Sequence, residues 1–296
     1  LLVRNEWLSV DPYMRGRMVD QKSYIPPFEL NQPMDGAAVG VILESGDERF
    51  APGDRISHFA GWRDLAVINA DTANRIDTAA PPQAYLGPLG FPGLAAYAGL
   101  LRLGSPKPGA TVFVSAAAGA VGSVVAQIAK IKGCRVIGSS GSDEKLAWLR
   151  DEIGVDAVIN YRKVPDLTAA LREAAPNGID VYFDNVGGGH LEAAIEVANE
   201  FARFTLCGMI EQYNIEPSGP RNIMAVIGKS IRLEGMIVTN FLDMWEDFQR
   251  DVTGWIDGGK LKWQETVVDG LENMPAAFID LFAGKNSGKM LVKLSD

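Results

Sequence analysis

Histidine and cysteine are scarce: the 296-residue chain holds two of each, His58 with His190 and Cys134 with Cys207. Two cysteines in apolar neighbourhoods exclude a disulfide scaffold and a cysteine-built zinc site. The histidines fall in different predicted domains, so a tetrahedral zinc site lacks its donors, no metal ligands are expected, and metal-assisted alcohol dehydrogenation loses ground. Positive charge is short as well, with 28 Lys and Arg against 37 Asp and Glu and a net charge of -9. That is the wrong sign for gripping a phosphate backbone, so nucleic acid is not an expected partner. Nor is a membrane: the one long apolar run, residues 111–129, is interrupted by Ser115, Ser123, Gln127 and glycines. No secretory signal opens the chain, because LLVRNEWLSVDPYMRG already alternates like a strand running into a turn, and a cytoplasmic location is expected. Leu1 starts mid-pattern, as though residues preceded it.

What is present is a chain with 47% hydrophobic residues, enough to bury a sizeable core. Up to about residue 85, short apolar stretches alternate with turn signals at Asp11-Pro12, Pro26-Pro27, Asp35-Gly36, Gly46-Asp47 and Pro52 to Arg55. This texture predicts a mostly β domain with strands over 38–44, 55–59 and 63–68. A Pro- and Gly-rich crossing spans 77–93. Beyond it helices and strands alternate: helices over 93–101, 121–130, 142–152, 166–175 and 189–197, and strands over 111–115, 135–139, 157–160, 179–184, 204–207 and 231–235. Short β runs joined by helices require parallel strands and right-handed crossovers, hence a doubly wound sheet. A further helix starts near Asp243. The tail offers a strand over 262–268, a helix over 274–281, a turn over 283–289 and a closing strand over 290–294 that can pair back with the first domain.

The sharpest local feature is Ala117-x-Gly119-x-x-Gly122, which follows a hydrophobic strand and opens a helix, the context a dinucleotide fingerprint requires. The turn would set a pyrophosphate on backbone N–H groups at the positive end of the helix. An NAD site places a carboxylate at the end of the second strand, about 20 residues on. Here that strand ends Val136-Ile137-Gly138-Ser139-Ser140 without an acid. Lys145 on the next helix can neutralise a 2′-phosphate, and Gly141 and Ser142 supply a helix start, so NADP (NADPH) is the expected cofactor.

Seven strings carry a family resemblance: LSVDPYMRGRM (8–18), GFPGLAAYAGL (90–100), AAAGAVGSVVAQIAKIKGC (116–134), GSDEK (141–145), YFDNVGG (182–188), CGMIEQYN (207–214) and GLENMPAAFIDLFAGKNSGKMLVK (270–293). On them the chain resembles the zinc-free medium-chain dehydrogenase/reductases, in the branch of leukotriene B4 12-hydroxydehydrogenase, prostaglandin reductase, curcumin reductases and alkenal reductases. The resemblance implies an α/β fold class: a GroES-like, mostly β catalytic domain (1–88, its first strands absent), a Rossmann doubly wound parallel-sheet domain (89–255) and a C-terminal segment (256–296) returning to the catalytic domain. It implies that Gly119, Ala120, Val121 and Gly122 meet the pyrophosphate, that Lys145 and Tyr161 hold the 2′-phosphate beside Ser142, and that Asn185 touches the ribose or pyrophosphate. Cys207, Gly208, Met209 and Tyr213, with Met236, Ile237 and Val238, would end beneath the nicotinamide. Asn286 would reach the cofactor from the tail.

Tyr13, Met14, Trp62, Met209, Tyr213 and Phe241 offer an aromatic and thioether surface suited to a small apolar enone or enal. The family often carries at position 241 a tyrosine that bonds the substrate carbonyl; phenylalanine has no hydroxyl, and the task passes to Tyr213, Tyr13 or the cofactor ribose. The expected activity is NADPH-dependent reduction of the C=C bond of α,β-unsaturated ketones or aldehydes. The alternatives are an NADPH:quinone oxidoreductase of the same fold and, outside enzymes, an NADP-binding sensor or scaffold. A homodimer is expected, with the last strands of the sheet pairing edge to edge.

Overall fold

The opening alternation becomes strand β1 (Leu2–Ser9), after which Asp11-Pro12 turns the chain into the short helix α1 (Met14–Arg17). Strands β2 (Ala38–Glu44), β3 (Arg55–His58), β4 (Leu65–Val67) and β5 (Asn74–Arg75) follow. The computed structural model describes residues 1–76 and 79–294; Asp77 and Thr78, where the Pro- and Gly-rich crossing was expected to begin, lie outside the described residues, as do Ser295 and Asp296.

From Phe91 the chain runs as α2 (Phe91–Ala98), extended by a π-helical turn over Gly99–Gly104, then β6 (Thr111–Val114), α3 (Gly122–Ile131), β7 (Arg135–Ser140), α4 (Asp143–Asp151), β8 (Ala157–Asn160) and α5 (Leu167–Ala174). It continues through β9 (Ile179–Asp184), α6 (Gly188–Val197), β10 (Ala198–Leu206), α7 (Ala225–Gly228), β11 (Arg232–Gly235) and α8 (Trp245–Asp257). The tail adds β12 (Glu265–Asp269), α9 (Met274–Phe282) and β13 (Lys289–Lys293).

The chain divides into two units, Leu1–Gly90 with Gln264–Asp296 and Phe91–Trp263. In the first, the β unit, a seven-stranded sheet runs β12-β13-β1-β2-β3-β5 with β4 also on β1. β13 lies antiparallel to β1, Leu8 opposite Val292, and parallel to β12. Leu8, Val10, Met14, Ala38, Met274, Phe278 and Val292 form the core beneath α9. In the second, the α/β unit, six strands run in the order β11-β10-β9-β6-β7-β8, every pair parallel. Successive strands wind outward from β6 on one side and from β9 on the other. The order therefore reverses between β6 and β9, and the carboxyl ends there are where open α/β sheets take ligands. An aromatic stack fixes these central strands: Phe113 lies on Tyr182 at 5.0 Å, and Tyr182 meets Phe204 edge-on at 5.2 Å.

Beyond shifts of a residue or two at many ends, several boundaries differ from the sequence reading. β10 starts at Ala198 rather than 204, bent by a register break before Arg203 and by Phe201 at φ 62°. The strand expected from 262 starts at Glu265, because the Lys262 backbone N–H and carbonyl are both bonded to the Gln127 side chain, each at 2.8 Å. The same pairing keeps Lys262 in the α/β unit, so the units divide at 90/91 and 263/264 rather than 88/89 and 255/256. Residues 238–244 form 3-10 turns broken by a kink at Phe241 (φ -123°, ψ 21°) ahead of α8. Among the described residues no helix is long and apolar enough to cross a membrane.

Both histidines are core residues. His58 accepts a hydrogen bond from the Ala60 N–H at 3.1 Å, and His190 lies against Phe113 and Tyr161. Burial lowers each to about 4, with Arg63 adding to the effect on His58. The unfolded chain therefore binds these protons first, and stability present above pH 6.5 is lost as pH falls toward 4. The expected cost approaches about 1.4 kcal/mol per histidine per pH unit. Urea denaturation at pH 7.5 and 5 should show a slope that His190→Gln reduces; an unchanged slope refutes the assignment.

Candidate cofactor and substrate site

The turn after β6 carries the fingerprint. Ala116 sits at φ 47°, a left-handed conformation uncommon for a residue with a Cβ. Its carbonyl accepts the Gly119 N–H at 3.0 Å. A Cβ on Gly122 would collide with that carbonyl and lie 2.9 Å from the Ala117 Cα, so only glycine lets α3 start this close to the turn. Ala120 and Val121 complete the turn, with Val121 preceding the first helical residue. A backbone cradle at a helix N-terminus fits a pyrophosphate.

The neighbouring strand ends in a residue that the sequence reading passed over, Asp184. Its Oδ1 accepts from the Tyr182 hydroxyl at 2.7 Å, the Ser115 hydroxyl at 3.1 Å, and the Val186 and Gly187 N–H groups at 2.9 and 2.8 Å. Its carbonyl accepts the Cys207 and Gly208 N–H groups at 2.9 and 3.0 Å. Asn185 is tied to the fingerprint strand, donating from its backbone N–H to Ser115 Oγ and from Nδ2 to the Ser115 carbonyl, both at 2.8 Å. The ends of β6, β9 and β10 are thus fastened at one residue, β6 through the Asp184 carboxyl group and β10 through its main-chain carbonyl. Asp184 Oδ2 is buried with no partner, and burial raises the acid above the usual carboxylate range against the lowering effect of the four donors. An acidic residue closing the apolar run of β9 was the available signal.

At the end of β7, Ser139 and Ser140 are buried. Ser142 starts α4 in extended conformation, without a side-chain cap. Lys145 lies one turn on, half-buried. The Tyr161 hydroxyl stands 2.8 Å from the position a Cβ on Gly141 would take, and its ring packs edge-on against His190 at 4.9 Å. Gly141, Tyr161 and the start of α4 therefore share one surface. Lys145 is brought to the same surface by its place on α4.

After β10, Cys207 and Gly208 lead to Met209, and Tyr213 folds back so that its hydroxyl accepts the Met209 N–H at 3.4 Å. Burial raises the Tyr213 phenol, as burial and Asp184 raise the Cys207 thiol to about 12. Met236 is buried, while Ile237 and Val238 are half-buried. Phe241 lies under the Arg102 guanidinium at 5.7 Å, and Arg102 pairs with Asp243.

In the β unit, Tyr13, Met14 and Trp62 surround Gly36. A Cβ there would lie 2.5 Å from Met14 Cε, 3.8 Å from the Tyr13 hydroxyl and 3.9 Å from Trp62 Cδ1. Met14 is wholly buried, so its thioether serves the core. Tyr13 stacks on Phe59, Trp62 meets Phe278 edge-on and sits at φ 56°, and the Tyr13 hydroxyl and Trp62 Nε1 are buried donors without partners. Burial and the Asp11 charge raise the Tyr13 phenol well beyond its ordinary value, so it stays protonated. Asn286 is buried and donates to the Gly288 carbonyl at 2.8 Å within its own turn.

Two families match the chain: residues 1–76 the family described as the N-terminal domain of oxidoreductase, and residues 120–257 the family described as zinc-binding dehydrogenase. Among the described residues, no group of three or more His, Cys, Asp and Glu side chains could hold a metal ion. The NADP(+)-dependent 2-alkenal reductase of Nicotiana tabacum is 43% identical over 100% of this chain and 87% of its own length. The NADPH-dependent curcumin reductase of Escherichia coli is 39% identical over 100% of this chain and 88% of its own. The crystal structure of CurA in complex with NADPH from Vibrio vulnificus matches with a TM-score of 0.95 and 41% identity, covering 100% of this chain and 90% of that one.

Asp184→Ala would strand four donors in the core and should cost about 3–5 kcal/mol of unfolding free energy. Asp184→Asn, which keeps an acceptor, should cost about 1–2 kcal/mol. Equal costs in urea denaturation would refute the role given to Oδ1.

Proposed function

The chain belongs to the zinc-independent medium-chain dehydrogenase/reductases, in the NADP-dependent branch of the alkenal, curcumin and prostaglandin reductases, and from that premise we propose how it reduces the C=C bond of α,β-unsaturated ketones and aldehydes. The carrying observation is the glycine cradle at the β6/β9 switch point, followed by a β7 end with no acid and with Lys145 on the next helix. Gly119 to Gly122 hold the pyrophosphate on backbone groups; Lys145, Tyr161 and Ser142 hold the 2′-phosphate; Asn185 and the segments at Cys207 to Tyr213 and Met236 to Val238 frame the ribose and nicotinamide. Asn286 belongs to the same proposal, although its amide nitrogen is spent within its own turn.

When bound, NADPH supplies a hydride to the β-carbon of the substrate. The charge that develops on the carbonyl oxygen needs a neutral donor, since the histidines are buried and uncharged near pH 7. Tyr13 is such a donor: its hydroxyl is buried, protonated and without a protein acceptor. Trp62 Nε1, equally unpartnered and held on a left-handed backbone, is the second. Tyr213 is the donor on the α/β unit, with its ring half-buried beside Met209. Phe241 and Met209 offer apolar surface to the conjugated chain. β11 leaves a sheet edge open among the described residues, and it supports the homodimer we propose, which sedimentation at assay concentration checks.

An enone incubated with NADPH should give the saturated ketone by NMR; an allylic alcohol would overturn the reaction assigned. Tyr13→Phe should lower kcat about 10- to 100-fold. The same change should leave Tm unchanged or higher, because the hydroxyl removed has no protein partner. A normal kcat in that variant with a loss in Tyr213→Phe would move the donor to Tyr213.

A further inference from the structure

Arg162 follows Tyr161 directly, on the connection from β8 to α5. Its backbone N–H is bonded to Asn160 Oδ1 at 3.1 Å, and Asn160 Nδ2 in turn donates to Asp143 Oδ1 at 2.5 Å, which ties the connection to the first turn of α4. The side chain returns over Gly141: a Cβ on that glycine would lie 2.8 Å from Arg162 Nε, 2.8 Å from the Tyr161 hydroxyl and 3.0 Å from Arg162 Cδ. Glycine at 141 thus leaves room for two donors on a single spot at the start of α4. Lys145 is near as well, since its ammonium is acidified by burial and then by the Arg162 charge, against a weaker opposing effect of Glu144.

Two cations held together are mutually repulsive, and a carboxylate would ordinarily lie between them. Asp143, in the first turn of α4, is taken by Lys163, and Glu144 acts on Lys145 more weakly than Arg162 does. Among the described residues no carboxylate pairs with Arg162, whereas Arg150, Arg172 and Arg221 of the same unit each have one. Arg162 is therefore left without a carboxylate partner among the described residues. A phosphate monoester carries close to two negative charges at pH 7 and presents three acceptor oxygens. Lys145 matches one charge as a point cation, and the planar fork of Arg162 matches the other with directed N–H donors.

We propose that Arg162 is a second cationic ligand of the cofactor's 2′-phosphate and, with Lys145, sets the preference for NADPH over NADH. The inference rests on the NADPH reading above and adds to it the residue that supplies the second charge. It is tested by titrating the wild type, Arg162→Gln, Arg162→Lys and Lys145→Gln with NADPH and with NADH, following dissociation constants by calorimetry without substrate. Arg162→Gln should weaken NADPH about 10- to 100-fold and NADH less than about 3-fold, and Arg162→Lys should recover part of the loss. Unchanged NADPH affinity, or equal losses for both cofactors, overturns the role of Arg162 while Lys145→Gln still discriminates between them. A wild type that binds NADH as tightly as NADPH overturns the underlying reading itself.

Discussion

A buried carboxyl group fastens the nucleotide-binding end of the sheet. Asp184 gathers a hydroxyl from its own strand, a hydroxyl from β6 and two backbone N–H groups from the turn that starts α6, while its carbonyl receives the two N–H groups that follow β10. Each donor would otherwise be left unpaired in the core, where an unsatisfied group costs about 1–3 kcal/mol. The fingerprint turn after β6 depends on the same knot through Ser115, whose hydroxyl and carbonyl hold Asn185. The turn proposed to cradle the pyrophosphate is thereby tied to the ends of β9 and β10. The aromatic stack of Phe113, Tyr182 and Phe204 sets the distance between those strands.

The β unit solves a different problem. Arg17, buried under Phe28 at 4.0 Å, pairs with Asp35, and Lys289 reaches the Val10 carbonyl at 2.7 Å and Asp11 at 2.9 Å. These ties fix both ends of the turn that carries Tyr13. Four buried polar atoms of this unit have no partner among the described residues, Asn5 Oδ1, His58 Nε2, the Tyr13 hydroxyl and Trp62 Nε1, and the last two belong to side chains that meet over Gly36. Unsatisfied buried donors weaken a fold unless a ligand completes them, which is how a site can be neutral at rest and still stabilise a developing oxyanion.

The α/β unit was largely legible in the sequence because its strands are short, apolar and separated by amphipathic helices, and because its glycines sit where a turn has no room for a side chain. The bend in β10 was not, since Phe201 adopts a positive φ that no local residue signals. The start of β12 was hidden too, since it depends on a long-range bond from Gln127 to Lys262. Met14 read as a pocket residue from its chemistry, yet its direction is set by α9 packing on β13 and β1, which spacing along α1 cannot reveal. Asp184 was overlooked because its importance lies partly in the donors that two distant segments, at Ser115 and at Cys207–Gly208, bring to it. Arg162 drew no reading from the sequence for the same reason: its neighbours, Gly141 and Lys145, approach only when β7 and β8 pair, with Ser140 opposite Asn160.

Net charge and local charge pull in opposite directions here. A chain of net charge -9 repels a polyanionic dinucleotide at long range, and salt screens that repulsion beyond about 10 Å at 0.1 M. Attraction has to come from contacts inside that distance, where screening is weak. In the proposed 2′-phosphate site the start of α4 would concentrate them: helix N–H groups, the Tyr161 hydroxyl, Lys145 and Arg162, with Asp143 paired to Lys163 and so withdrawn from competition. On the proposal above, a dinucleotide lacking the 2′-phosphate would leave Arg162 without an anion, its charge still acting on Lys145. Discrimination as proposed would therefore draw on repulsion relieved as well as on bonds formed, in a protein whose overall charge would otherwise disfavour either cofactor.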